Sequence, residues 1–225
     1  MFEVKSEFQI IFNAITDMSK YVRSIVSPYS VISPTIKFES IGRPGERAII
    51  NIPDSDTIII IDWMTMAIIR LGVSSNLEKR DGVFSLFYDI YENISSQDYF
   101  NGIKSYHLKT WDLLPNKYNS TLLFKNEFLN SKASSIMDIE DINLVLHGKD
   151  KAKKIDYSLQ FGPFDNEVDV ERHKLILFDK NIFKPATSPK EGCLVNFGMN
   201  STKTSFSHDS LKDMMNIKNT IFKNI

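Results

Sequence analysis

Cysteine is nearly absent from this sequence of 225 residues, and its scarcity excludes two kinds of structure. The single cysteine, Cys193, cannot form a disulfide within the chain, and it cannot build a cage of thiolates around a metal ion. Chains without disulfides are typical of reducing compartments. The sequence therefore predicts a cytoplasmic protein in which Cys193, beside an apolar run, is a small buried side chain.

The motifs of several common enzyme classes are also missing. The nine glycines form neither GxGxxG nor GxxxxGK[ST], so the sequence predicts no Rossmann or P-loop nucleotide site. GxSxG, the nucleophile elbow of α/β-hydrolases, is absent as well. The four histidines include no pair spaced four residues apart, which excludes an HExxH zinc site. We therefore assign no catalytic residue from the sequence.

Neither an excess of charge nor a long apolar run is present. The 27 basic residues balance 28 acidic residues, and the net charge of −1 excludes a polycation that binds nucleic acid over its whole surface. The longest apolar run, residues 58–71, is interrupted by Asp62 and Arg70 and is too short to span a bilayer. The first residues, MFEVKSEF, lack the apolar region of a signal peptide. We expect no insertion into membranes.

The pattern of apolar residues predicts an α+β fold, in which antiparallel sheets are flanked by N-terminal, middle and C-terminal helices. Helical spacing predicts helices over residues 3–26, 82–94, 120–130 and 209–222. Alternating or β-branched runs predict strands over residues 35–41, 47–52, 57–63, 65–71, 105–115, 142–147, 155–161, 171–178 and 192–198. Turn residues at 42–46 and 53–56 join the first of these strands into a meander. Residues 57–71 fit either two strands or one long strand with a bulge.

The order of these elements suggests two parts. Residues 1–114 form a helix–meander–helix sub-domain, and residues 115–225 form a strand-rich sub-domain with a C-terminal helix. One continuous domain fits the same order of elements. The sequence shows no internal repeat.

Two segments carry a resemblance to a known family. The strand at residues 108–115 ends in a proline-containing bend, and the strand near Phe197 leads into a terminal helix with Phe222. This arrangement resembles a sporadically distributed family of bacterial proteins of unknown function, in which a strand of the type gly-leu-arg-tyr-x-asn precedes such a bend. The chain departs from that pattern at Lys109 and Thr110, where the family has an arginine and an aromatic residue, and it lacks the usual acidic pair in the strand that follows Cys193. The resemblance implies a two-part α+β protein of bacterial accessory genes, in defence or mobile elements, and it assigns no catalytic residues.

The stretch DNEVDVERH, residues 165–173, has an ionisable side chain at every second position. On a strand these side chains share one face, each about 6.6 Å from the next. Glu167, Asp169, Glu171 and His173 are ligand types that suit Mg²⁺ or Mn²⁺, which makes a metal-dependent nuclease or other phosphoryl-transfer enzyme one hypothesis. The alternative is a solvated acidic edge, which such charge runs more often indicate and which protects a strand against edge-to-edge pairing.

Two basic turns make contact with nucleic acid a further hypothesis. The residues concerned are Arg43 and Arg47 in the first turn, and Lys149, Lys151, Lys153 and Lys154 in the second. The lysines have no interleaved aromatic residues for base stacking, and Asp150 and Asp156 dilute their charge. Binding there would depend on phosphates and would weaken steeply with salt. Two solvated hairpin tips are the simpler interpretation.

A binding role fits the remaining pattern. Phe161 and Phe164 flank a Gly-Pro pair typical of a turn, and we expect them to point outwards as a patch for a partner. Because no catalytic constellation stands out, we favour a non-catalytic bacterial protein that acts by binding a partner protein and needs no cofactor. The metal-dependent enzyme and the nucleic-acid-binding protein stay open as alternatives.

Overall fold

The computed structural model describes most of the chain, and the described part contains one large sheet with three α-helices. The described residues are 2–30, 36–43, 45–71, 82–115, 123, 126–127, 142–165, 174–175, 180–181 and 191–223. The strands are β1 Phe2–Phe12, β2 Ile36–Glu39, β3 Arg47–Ile52, β4 Thr57–Ile61, β5 Thr65–Leu71, β6 Ile103–Pro115, β7 Leu144–Asp150, β8 Ile155–Asp165, β9 Lys174–Leu175, β10 Lys180–Asn181 and β11 Glu191–Ser201. The helices are α1 Met18–Val26, α2 Val83–Ser95 and α3 His208–Phe222.

Nine of the strands form a single antiparallel sheet in the order β2-β3-β4-β5-β1-β6-β11-β8-β7, and β9 pairs separately with β10. This confirms the predicted α+β class, with one large sheet in place of several. At the centre of the sheet β1 pairs with β6, and β6 pairs with β11. The sheet therefore includes strands from both predicted sub-domains.

The order of the strands repeats on the two sides of the central β1–β6 pair. In the first half β1 pairs with β5, and β4, β3 and β2 follow outwards; in the second half β6 pairs with β11, and β8 and β7 follow. In the first half β5 pairs with β1 and is followed by α2. In the second half β11 pairs with β6 and is followed by α3. The chain thus has an internal duplication of topology that its sequence does not reveal. Strand β7 corresponds to β3, but within the described residues no strand covers β7 as β2 covers β3.

The predicted N-terminal helix is wrong over its first half. Phe2–Phe12 form β1, which pairs with β5 on one side and β6 on the other, and α1 begins only at Met18. Phe8, Ile10 and Phe12 are fully buried on one face of the sheet. Apolar residues at positions 8, 12 and 15 satisfy the helical period, but those at 8, 10 and 12 satisfy the strand period equally well. Pairing with β5 and β6 favours the strand over the helix. The preference of a segment for β structure depends on such tertiary context.

The predicted meander is confirmed as strands β2 to β5. The tight turn after β4 is built on Asp62, whose Oδ1 accepts hydrogen bonds from the backbone N–H groups of Met64 at 2.8 Å and Thr65 at 2.7 Å. Residues 57–71 are therefore two strands and not one long strand with a bulge.

The predicted middle and C-terminal helices are confirmed as α2 and α3, and the predicted hairpin is confirmed as β7 and β8. Ser207 precedes α3, where its backbone N–H donates a hydrogen bond to Ser210 Oγ at 3.0 Å. The helix predicted over residues 120–130 and the strand predicted over residues 171–178 lie largely outside the described residues.

The three helices cover one face of the sheet. Following the strand register, the residues of this face form one large buried cluster with the helices, which includes Phe8, Ile59, Phe197, Val22, Phe87 and Met215. A second, smaller cluster lies on the opposite face and contains Val4, Leu71, Leu113 and Phe164. Both halves of the chain contribute to each cluster, so hydrophobic burial stabilises the halves together.

Candidate functional site

Strand β7 lies at one edge of the nine-stranded sheet. Within the described residues its only strand neighbour is β8, and an edge strand directs alternate N–H and C=O groups outwards, where another strand can pair. At the opposite edge β2 has four residues and carries the charged pair Lys37 and Glu39. Short length and charge discourage pairing at an edge. Strand β7 has seven residues and begins with three apolar ones, so it is the edge better suited to accept a strand.

Exposed apolar side chains distinguish β7 further. Val145 is 50% exposed and Leu146 is 49% exposed. Because successive side chains of a strand point to opposite faces, these two residues present apolar surface on both faces of the sheet. Apolar residues on both faces are typical of inner strands, which other elements cover. The other exposed large apolar residues in the described part of the chain, Ile41, Trp63 and Leu123, each occur singly.

Gly148 allows an aromatic ring to reach this edge. In the register of the hairpin Gly148 is the direct partner of Tyr157 in β8, and a Cβ atom at Gly148 would overlap the tyrosine ring. The ring of Tyr157 therefore lies across Gly148 on the face that carries the helices. A glycine inside a strand commonly marks such a close approach. Tyr157 is half-buried and provides a flat apolar surface next to the outer edge of β7.

A cleft of about 550 Å³ lies beside Tyr157 on the same face, between the hairpin and α3. Ile217 and Ile221 of α3 contribute apolar surface to it, and Asp150 at the end of β7 borders it. Charged groups of both signs, Lys153 and Lys203 against Asp150 and Asp213, also line the cleft. Its lining is therefore mixed and not predominantly apolar.

The hairpin tip between β7 and β8 carries the predicted basic residues. Lys149 forms an ion pair with Asp156 at 3.1 Å, and Lys153 approaches Asp150 at 3.7 Å. Lys151 and Lys154 are exposed and have no ion-pair partner among the described residues. Residues 149–156 contain four lysines and two aspartates, so two positive charges remain in excess.

The other predicted basic turn, between β2 and β3, lies at the opposite edge of the sheet. Arg47 is held by Glu39, whose Oε2 accepts a hydrogen bond from Arg47 Nε at 2.8 Å. The hydrogen bonds from Arg47 and then from Lys37 keep the pKa of Glu39 below its usual value. Arg43 is exposed in the turn. The fold does not bring the two basic turns together.

Phe161 and Phe164 do not form the outward patch that the sequence suggested. Residues 161–164 continue strand β8 instead of turning, and the two side chains are 4% and 1% exposed. Phe161 belongs to the cluster under the helices and Phe164 to the cluster on the opposite face. Because both rings are buried, neither is accessible to a partner. Gly162 and Pro163 do not form a turn, since they pair with Leu194 and Cys193 of β11.

The predicted metal ligands Glu167, Asp169, Glu171 and His173 lie outside the described residues. Among the residues that are described, no three His, Cys, Asp or Glu side chains are placed to hold a metal ion. The metal hypothesis therefore stays a prediction. Cys193 is fully buried in the core, as its apolar surroundings predicted.

A row of polar side chains crosses the centre of the sheet on the face opposite the helices. Gln9, His107, Asn200 and Asp156 are direct neighbours in the register of β1, β6, β11 and β8. The Nε2 atom of His107 lies 3.0 Å from Ser105 Oγ. The Oδ1 atom of Asn200 is buried without a hydrogen-bond partner in the described part of the chain. The row is polar, and the side chain of His107 within it is partly shielded from water.

Burial lowers the pKa of His107, and Lys109 lowers it further, while Glu7 opposes them. The unfolded chain then binds more protons than the folded chain as the pH falls below the ordinary histidine value of about 6.5. We therefore predict that the free energy of unfolding decreases on acidification through this range, and decreases less in His107→Gln. Urea unfolding at pH 8 and pH 5.5 measures this difference. Equal pH dependence in the wild type and in His107→Gln would contradict the prediction.

A fully buried ion pair links α3 to the sheet. Lys218 Nζ donates a hydrogen bond to Asp112 Oδ1 at 2.9 Å, and Thr110 Oγ1 donates to Asp112 Oδ2 at 2.7 Å. The side chains of Lys218 and Asp112 have no exposed surface, so a ligand in solution does not reach them. The Lys218 ammonium group also lies 5.2 Å from the centre of the Phe222 ring. We interpret this group as structural.

Sequence reasoning missed the residues that distinguish the β7 edge. From the sequence, Val145, Leu146 and Tyr157 are predicted only as parts of a hairpin. The available signal was the run Leu144, Val145 and Leu146, because three successive apolar residues in a strand leave apolar surface on both faces. Whether such a strand lies at an edge depends on sheet order, which the sequence does not express.

No protein-family model matches the sequence, and no curated protein matches it. Within the described residues, no helix combines the length and the apolar character needed to cross a membrane.

Proposed function

We propose that this protein acts by binding a partner protein, an extended segment of which adds to the sheet as a strand next to β7. Strand addition draws affinity from main-chain hydrogen bonds and specificity from pockets for alternate side chains. The observation that carries the proposal is the exposed apolar edge of β7, where Val145 and Leu146 each keep about half of their surface exposed on opposite faces. The accessory role in bacterial defence or mobile elements, which the family resemblance implies, belongs to the same proposal.

The duplicated topology supports this choice of site. In the first half of the chain the strand equivalent to β7, which is β3, has an outer neighbour in β2. Ile36 of β2 pairs there with Ile50 of β3, so an outer strand covers apolar surface of the inner one. A partner strand beside β7 would complete the second half in the same way.

Selection from a displayed library of random 12-residue peptides tests the proposal. We expect peptides that bind the wild-type protein and bind the double variant Val145→Gln/Leu146→Gln about tenfold more weakly or worse, because the variant loses apolar contact on both faces. Kd values from fluorescence polarisation measure the difference. Hydrogen exchange should show slowed exchange of β7 amides when a selected peptide is bound.

The matched control is Ile41→Gln/Trp63→Gln, which changes two exposed apolar residues away from β7 and should leave the Kd values unchanged. Selected peptides that bind the β7 variant as tightly as the wild type would contradict the proposal. A library that yields no peptide dependent on β7 would contradict it as well.

A further inference from the structure

We infer that the segment which adds to β7 is acidic and alternates carboxylate side chains with apolar ones, with its carboxylates on the face of the sheet opposite the helices. This inference rests on the proposed strand addition and names the chemistry of the partner. It follows from the two surfaces that a strand in this position would meet, one on each face of the sheet.

The face opposite the helices favours carboxylates. In the register of the hairpin Val145, His147 and Lys149 lie on this face, and Lys149 is 64% exposed although it is paired with Asp156. Lys151 and Lys154 follow in the tip, exposed and without ion-pair partners in the described part of the chain. The two uncompensated positive charges of the tip would attract a negatively charged segment and set its direction along β7.

The face that carries the helices favours apolar side chains. A strand beside β7 would place alternate residues next to Leu146 and then next to the ring of Tyr157, which lies across Gly148. In the cleft beyond this ring, Ile217 and Ile221 contribute apolar surface next to the charged groups that also line it. Side chains such as valine or leucine fit this surface, and they share one face when every second residue is apolar.

Three labelled peptides of eight residues test the inference. All alternate valine with a second residue, which is glutamate in the first, glutamine in the second and lysine in the third. We expect the glutamate peptide to bind about tenfold more tightly than the glutamine peptide and the lysine peptide to bind most weakly, because each exposed charge pair contributes a modest free energy. The affinity of the glutamate peptide should fall between 50 and 500 mM NaCl, since salt screens exposed charges.

Charge reversal provides the matched comparison. Lys151→Glu/Lys154→Glu should remove the preference for glutamate, whereas Lys104→Glu/Lys212→Glu, with the same change of net charge at exposed positions elsewhere, should retain it. If β7-dependent peptides bind irrespective of charge, the inference is wrong and the proposed strand addition stands. If no peptide binds in a β7-dependent manner, both are wrong. A dimer in analytical ultracentrifugation that Val145→Gln/Leu146→Gln converts to monomer would overturn the acidic partner in favour of a second copy.

Discussion

Replacing Lys218 by methionine is expected to lower the free energy of unfolding by about 3–5 kcal/mol. The substitution keeps most of the apolar volume of the side chain but removes the ammonium group that lies 2.9 Å from Asp112 Oδ1. The Asp112 carboxylate has no exposed surface, so water cannot replace the lost partner. Urea unfolding followed by circular dichroism measures the loss.

The double variant Lys218→Met/Asp112→Asn should recover part of this stability, because it no longer buries a carboxylate that has lost the Lys218 ammonium group. Thr110 can keep its hydrogen bond to the amide oxygen of the new side chain. Recovery would show that the recovered part of the loss is the cost of burying the Asp112 carboxylate without the Lys218 ammonium group.

Lys212→Met is the control on the same helix, because Lys212 is exposed and surface substitutions usually change stability by less than about 0.5 kcal/mol. A loss in Lys218→Met no larger than in Lys212→Met would show that the pair is not held as the structure describes. The same result would show that this contact does not stabilise the packing of α3 on β6.

Lys218 also shows where sequence reasoning succeeds and where it stops. Helical spacing predicts that Leu211, Met214, Met215, Ile221 and Phe222 form the buried stripe of α3. The first three are buried and the last two are half-buried. Position 218 continues this stripe at the spacing of a helix, so a lysine there lies on the buried face. Its partner Asp112 is 106 residues away, and no local pattern connects the two positions.

Strand β1 illustrates a different limit. Its apolar residues satisfy the period of a helix and the period of a strand, and only the neighbouring strands select the latter. The meander β2 to β5 was predictable, because glycine, proline and aspartate mark its turns and the strands between them are β-branched. Local turn chemistry therefore carries more information about this fold than apolar periodicity alone.

The β7 edge could be predicted only in part. The hairpin and its basic tip follow from the sequence, but the position of β7 at the end of the sheet results from pairings between distant strands. Tyr157 lies over Gly148 only in the observed register of the hairpin. A shift of one residue in one strand would move its side chains to the opposite face. Exposure of Val145 and Leu146 is consequently a property of the assembled sheet and not of their own segment.

Phe8→Ala is the second large effect that we expect, with a loss of about 3–5 kcal/mol in the free energy of unfolding. Phe8 is fully buried at the centre of the sheet. Its ring lies 6.2 and 6.0 Å, between ring centres, from Phe84 and Phe87 of α2, and 5.4 Å from Phe206, which precedes α3. The substitution removes these contacts and leaves a cavity that β1, paired on both sides, cannot close.

Because this ring touches residues from both halves of the chain, its loss should destabilise the halves together. Urea unfolding of Phe8→Ala, followed by far-ultraviolet circular dichroism and by tryptophan fluorescence, should give a single transition at lower urea with both probes. Phe38→Ala, on the outer strand β2 where the ring is half-buried, is the matched control and should lose less than half as much. Two separate transitions, with only the first displaced, would indicate that the sheet unfolds in parts and that the core around Phe8 does not couple them. A single displaced transition would mean that the duplicated halves share one core, because apolar residues from strands of both halves belong to the same buried cluster as Phe8.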